Sequence, residues 1–213
     1  MTMLSKTDQN GRSMVEMLGV LAIIGVLSVG GISGYSKAMA KFKLTKAQDQ
    51  MSMLLMNVRT AFATSSSYDG LNNGSAVTFG IAPNDMTPTG KALSGGMLAS
   101  TTKLTNAFGG PAYVGSCDII SNYNDSKGTA LPSCDGIDSS GNTLTKQYFF
   151  ISLSGLSRDA CFSLGGIDWG ADGLISIRIN TEPHLANEFP IALADVGNNC
   201  NSYADNTITW VYY

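Results

Sequence analysis

One histidine, four cysteines and a glutamate at the edge of a long uncharged run are the residues on which chemistry would have to rest. His184 is the only imidazole in the chain. A multi-histidine metal centre is therefore excluded, and a Ser/His/Asp or Cys/His engine would depend on that one residue. It lies in TEPHL beside Pro183, which reads as a turn or surface position. Cys117, Cys134, Cys161 and Cys200 contain no CxxC pair, which disfavours zinc. Their even number points to disulfides outside the cytoplasm, with three pairings open. Pairing Cys117 with Cys134 would close a local loop. Asp168 with Asp172, and Asp135 with Asp138, offer oxygen ligands to a hard cation. DWGADG lacks the full spacing of a calcium loop, however, and reads as solvated turns. Neither a metal nor a cofactor is expected.

Composition narrows the function further. The 213 residues hold 13 Lys and Arg against 16 Asp and Glu, a formal charge of −3, and the basic residues gather toward the N-terminus. No basic face is offered to nucleic acid. With 44% hydrophobic residues and 14% charged, the chain can bury a core and does not have the composition of a charge-driven disordered protein.

The elements that must position these residues begin with MLGVLAIIGVLSVGGISGYS, Met17 to Ser36, 20 residues without a formal charge. As a helix this run is roughly 30 Å long, the thickness of a hydrocarbon core. Glu16 stands at its threshold, and a carboxylate costs about 2.5–3.5 kcal/mol at the centre of a membrane helix, less near the interface. The next stretch, Lys37 to Ser65, holds no Pro and no Gly, and Met39, Phe42, Met53, Met56 and Phe62 fall at intervals compatible with a helical stripe. One helix is expected from about Ser13 to Ser65, apolar all round in its first half and amphipathic in its second. Gly30 and Gly34 form a small-xxx-small pair suited to close helix approach.

From Ser66 onward, short apolar alternations separated by Gly, Asn, Ser and Asp predict strands at VTFGI, YFFISLS, LISIRIN and TITWVYY. Between them, Ser157 caps a short helix RDACFSL ended by Gly165 and Gly166, and NEFPIALADV forms another ended by Gly197. The expected fold class is α+β.

Gly11, Arg12, Ser13, Met14, Val15 and Glu16, followed by MLGVLAIIGVLSVGG, resemble the N-terminal signal of type IV pilins and pseudopilins. The resemblance implies cleavage after Gly11 by a dedicated membrane peptidase and methylation of the new terminal amine. It also implies pairing of Glu16 with the terminal amine of a neighbouring subunit. Arg12 would be the first mature residue, a position the family usually gives to a hydrophobic one. LTNAFGGPAYVG, the run YFFISLSGLSRDACFSLGGIDWGADGLISIRIN and the absence of Pro from the apolar helix resemble the type IVb subclass. That likeness implies a long N-terminal helix packed on an antiparallel β-sheet head with disulfides, and a Cys161–Cys200 staple.

The expected organisation is a leader at 1–11, a transmembrane and polymerisation segment at 12–36, an amphipathic segment at 37–65 and a globular head at 66–213. By resemblance the protein is a non-enzymatic subunit of a surface filament. It would be held in the inner membrane with a periplasmic head before assembly into a homo-oligomeric helical pilus. The implied partners are the prepilin peptidase, an assembly ATPase and a platform protein. Two alternatives stand beside it: a type II secretion pseudopilin, and an uncleaved membrane-anchored periplasmic binding domain. The last is supported by Arg12 and by Lys37, Lys41, Lys43 and Lys46 beyond the apolar run, since positive charge normally marks the cytoplasmic side.

Overall fold

A single α-helix, α1, runs from Met14 to Ala61. It opens a computed structural model that describes residues 14–87, 102–124, 130–133, 147–170 and 172–213. The chain divides into two units, Met1–Phe42 and Lys43–Tyr213. In the first, the described residues are all helical, and every large apolar side chain from Met17 to Tyr35 is more than half exposed.

In the second unit the remainder of α1 is amphipathic, on a stripe different from the expected one. Ala47, Gln50, Met51, Leu54 and Val58 are buried, spaced by three and four residues on one face. Phe42, Met53 and Met56 are more than half exposed, Met39 is at the surface, and of the expected stripe only Phe62, just past the helix, packs against the core. The large residues misled because the buried face is built partly of small ones, Ala47 and Val58, which suit a helix lying close to a sheet. The helix ends at Ala61, short of the expected Ser65.

The sheet is antiparallel throughout its described pairings. Its strands are β1 (Leu104–Thr105), β2 (Pro111–Asn124), β3 (Ala130–Ser133), β4 (Tyr148–Leu156), β5 (Leu174–Ile179), β6 (Glu182–Leu185) and β7 (Asn206–Tyr212). They lie in the order β1-β2-β4-β7-β5-β6, with β3 pairing off β2. The final strand of the chain therefore sits inside the sheet between β4 and β5. Alternation along β4 and β7 points Phe149, Ile151, Leu153, Ile208, Trp210 and Tyr212 into the core, as their spacing predicts.

VTFGI is not a strand. Its first residues complete helix α2 (Asn73–Thr78), and Phe79 is the C-cap. The Asn72 side chain accepts from the Ser75 amide while the Ser75 hydroxyl accepts from the Asn72 amide, a reciprocal cap that nucleates the turn. Phe79 is left exposed and Ile81 buried. Five residues of apolar alternation are too few to outweigh such a cap.

Helix α3 (Arg158–Gly165) begins and ends as its sequence predicts. The Ser157 hydroxyl accepts from the Ala160 amide, and Gly166 is the C-cap. Helix α4 spans Leu193–Asn199, so it starts after the expected NEFPI portion and runs past Gly197. Ala186–Glu188 forms a separate 3-10 turn before it.

Candidate functional site

Two features bear on the expected sites: the apolar part of α1 and the disulfide-bonded flank of the sheet. Glu16 lies in the first turn of α1 and is exposed. A carboxylate there is favoured by the positive end of the helix dipole. Beyond it, Met17 to Ser36 presents apolar side chains in every direction. Among the described residues α1 is the one helix long and apolar enough to cross a membrane. Gly30 and Gly34 have open space where a Cβ would stand. Gly11 and Arg12 lie outside the described residues.

The expected Cys161–Cys200 staple is present, with an S–S distance of 2.01 Å and Cα atoms 5.8 Å apart. Cys161 is on α3 and Cys200 closes α4. Both are fully buried. The bond closes a separation of 39 residues, which in the loop-entropy view stabilises the head by roughly 3–4 kcal/mol. Cys117 is buried on β2, and its expected partner Cys134 lies outside the described residues.

His184 is neither in a turn nor on the surface. It occupies β6, opposite Ile177, and is largely buried. Its Nδ1 is 3.3 Å from Glu188 Oε2 and its Nε2 is 3.0 Å from Asn199 Nδ2. A neutral ring that donates from Nδ1 and accepts the amide at Nε2 satisfies both contacts. The imidazole thus ties β6 to the 3-10 turn and to α4 beside the disulfide, and among the described residues no nucleophile meets it. The short stretch TEPHL, broken by Pro183, hid this strand from sequence reading. Among the described residues no cluster of three His, Cys, Asp or Glu side chains is placed to hold a metal ion. Asp168 accepts from the Gly170 amide in a surface turn, and Asp135 and Asp138 lie outside the described residues.

Polar residues that sequence reasoning passed over set the frame. Asn106 caps the turn between β1 and β2. Its Oδ1 accepts from the Phe108 and Gly110 amides, and its Nδ2 donates to the Ser154 and Pro111 carbonyls. Gly110 is required there, because a Cβ would collide with the Ser154 carbonyl. Asn180, at φ 54° between β5 and β6, donates to Asn199 O and Asn206 Oδ1. Arg59 of α1 donates to the Asp172 carbonyl at 2.6 Å and lies 5.5 Å from the Tyr212 ring centre. Burial pushes the Tyr212 hydroxyl up to about 12, with the Arg59 charge opposing it.

Helix, sheet and staple define an α+β protein whose N-terminal helix is apolar enough for a membrane or a helix bundle and whose head is an antiparallel sheet with a disulfide-bonded flank. No family model matches the sequence. No curated protein matches it either. Among solved structures the chain is similar to the type IVb pilin of Salmonella typhi, with 20% identity and a TM-score of 0.48 over 80% of this chain and 97% of that one. It is also similar to TcpA, a type IV pilin of Vibrio cholerae El Tor biotype, with 14% identity and a TM-score of 0.41 over 80% of this chain and 99% of that one.

Proposed function

We propose that the protein is a pilin of the type IVb kind, made as a precursor, cleaved after Gly11 and polymerised through its N-terminal helix into a surface filament. The observation that carries this reading is the uncharged run from Met17 to Ser36, exposed on all sides and entered directly from Glu16. An apolar surface of that extent requires a partner. Lipid satisfies it before assembly, and copies of the same helix satisfy it afterwards. Glu16 distinguishes the two states. A carboxylate at the edge of hydrocarbon is costly alone, and a free amine at Arg12 of a neighbouring copy would offset that cost where the dielectric is low. Burial of the helices against one another supplies the cohesion, and the pairing sets their stagger.

The peptidase, an assembly ATPase and a platform protein are the partners this route needs. Intact mass and N-terminal sequencing of the native protein, in both the sheared surface fraction and the envelope, test it. A surface species beginning at Arg12 is the expected result. Cleaved protein confined to the envelope would assign a secretion pseudopilin instead, and an intact Met1 terminus an anchored periplasmic domain.

A further inference from the structure

Three lysines directly after the apolar run are not used by the head. From Met17 to Gln48 the sequence holds no acidic residue, while Lys37, Lys41, Lys43 and Lys46 fall within ten positions of one another. Lys46 pairs with Asp85 at 3.2 Å. Among the described residues Lys37, Lys41 and Lys43 make no salt bridge. Lys37 and Lys41 are exposed and stand four residues apart on α1, so their ammonium groups share one face and repel each other. Tyr35, Met39 and Phe42, at i, i+4 and i+7, line another face and are exposed as well, Tyr35 at 67% and Phe42 at 61%.

Depth decides what these groups meet. As a helix, Met17 to Ser36 fills a hydrocarbon core of roughly 30 Å. A headgroup layer of about 5–7 Å lies on each side of such a core. Lys37 to Lys41 occupy about 6 Å of helix rise immediately beyond the run, the same depth. Tyr35 marks the boundary independently of that count, since an exposed tyrosine in the last turn of a span belongs where acyl chains give way to headgroups. At this level the stems of Lys37 and Lys41 lie along apolar surface while their charged ends reach outward.

We propose that Lys37 and Lys41, with Lys43 following, form a collar that binds the phosphate groups of anionic phospholipids in the membrane that α1 crosses. A lysine ammonium is a compact point charge with three donors and takes a phosphate oxygen without demanding a fixed geometry. An anion seated between Lys37 and Lys41 attracts both and offsets their mutual repulsion. Each basic residue near an anionic membrane surface adds to the attraction. An acidic protein surface fits less well, because the apolar face of Tyr35, Met39 and Phe42 keeps this segment at the boundary of the bilayer. The collar sets the depth of the anchored chain and gives a use to cations that the positive-inside bias counts against an outer head.

The proposal rests on the reading of α1 as a membrane span and is independent of cleavage and polymerisation. Full-length protein is reconstituted in phosphatidylcholine vesicles carrying a trace of either spin-labelled phosphatidylglycerol or spin-labelled phosphatidylcholine. The motionally restricted fraction of each probe gives their relative affinity for the protein. Phosphatidylglycerol is expected to be preferred, by a factor of roughly five for each lysine engaged. The preference should fall toward parity in the Lys37→Gln, Lys41→Gln double variant and persist in the Lys37→Arg, Lys41→Arg one, which keeps both charges. All four substitutions are at exposed positions, so the thermal midpoint of the head should not move. The preference should also shrink in 1 M sodium chloride, where the screening length is about 3 Å. Equal restriction of the two probes overturns the proposal and leaves the lysines to a protein partner. A preference indifferent to the double Gln substitution overturns it too. Loss of the preference in inorganic phosphate but not in chloride of equal ionic strength would make the collar a general anion site, contrary to the proposal. A chain that does not enter the bilayer would overturn the membrane reading along with it, whereas normal entry without a lipid preference overturns the collar alone.

Discussion

Gln50 is almost fully buried on a helix face otherwise given to apolar side chains, and it survives there because both ends of its amide are used. Its Nε2 donates to Asp85 Oδ2 at 2.7 Å and its Oε1 accepts from the Ala107 amide at 2.9 Å. A buried polar group with every valence met costs little; one left unmet costs about 1–3 kcal/mol. Asp85 also pairs with Lys46 at 3.2 Å. Burial pushes the Asp85 carboxyl up, but the hydrogen bonds from Gln50 and Lys46 and the Lys46 charge outweigh it, and the net effect lowers it from its ordinary value. The sign follows: a carboxyl whose folded value is lowered stabilises the protein above its unfolded value and stops doing so as pH falls through the folded one. Asp85→Asn keeps an acceptor for Gln50 and removes the charge. It should lower stability by about 0.2–1 kcal/mol at pH 7, in keeping with a half-exposed ion pair, and the difference should shrink as pH falls below about 4 and on through the lower folded value. Thermal unfolding of the full chain in detergent at pH 7 and pH 3 measures it.

At the scale of elements, legibility followed whether the local signal was also the deciding one. The strands YFFISLS and TITWVYY were readable because their core-facing apolar residues recur at every second position; in LISIRIN this holds for Ile177 and Ile179, while the register shift between Leu174 and Ser176 buries Leu174 in place of Ile175. Helix α3 was readable from its cap and its terminal glycines. VTFGI was misread because the deciding contacts belong to Asn72 and Ser75, with only the latter's neighbours in view, and the helical stripe was misread because small residues make its buried face. The disulfide-bonded flank was legible as far as its cysteines. What lies beside it was not, since His184 is held by Glu188 and Asn199, which no spacing rule connects to it.

The β1–β2 turn shows the same thing from the opposite side: LTNAFGGPAYVG marks a turn, but only the structure reveals that Asn106 also reaches β4. Asn106→Ala would leave the Ser154 carbonyl and two turn amides without their partner, and the expected cost is about 1–3 kcal/mol. For a chain of this size that lowers the thermal midpoint by roughly 2–4 °C per kcal/mol. An unchanged midpoint would mean that water replaces the side chain without loss.

At the scale of the whole molecule, the unusual fact is how unequally the sequence distributes its apolar residues. The head buries its own core, while Met17 to Ser36 keeps nothing of itself covered. On the proposed reading, anchorage and polymerisation make different demands on that run, and Glu16 is the residue that would separate them. Anchorage depends on hydrocarbon burial of about 20 uncharged residues and is indifferent to one carboxylate at the end of the run. Polymerisation, on the proposed reading, needs the carboxylate to meet an amine of the next copy. Glu16→Ala should therefore leave the protein in the membrane fraction at its normal level, with its head folded, while sheared filament falls by at least roughly tenfold. Glu16→Gln separates charge from shape: it keeps the size and hydrogen-bonding capacity of the side chain, so filament loss in both variants assigns the effect to the negative charge. Normal filament yield from Glu16→Ala would mean that apolar burial alone sets the stagger of the helices. Loss of the protein from the membrane would mean that Glu16 serves insertion instead of assembly, the reverse of what the cost of a carboxylate at the entrance of a span leads one to expect.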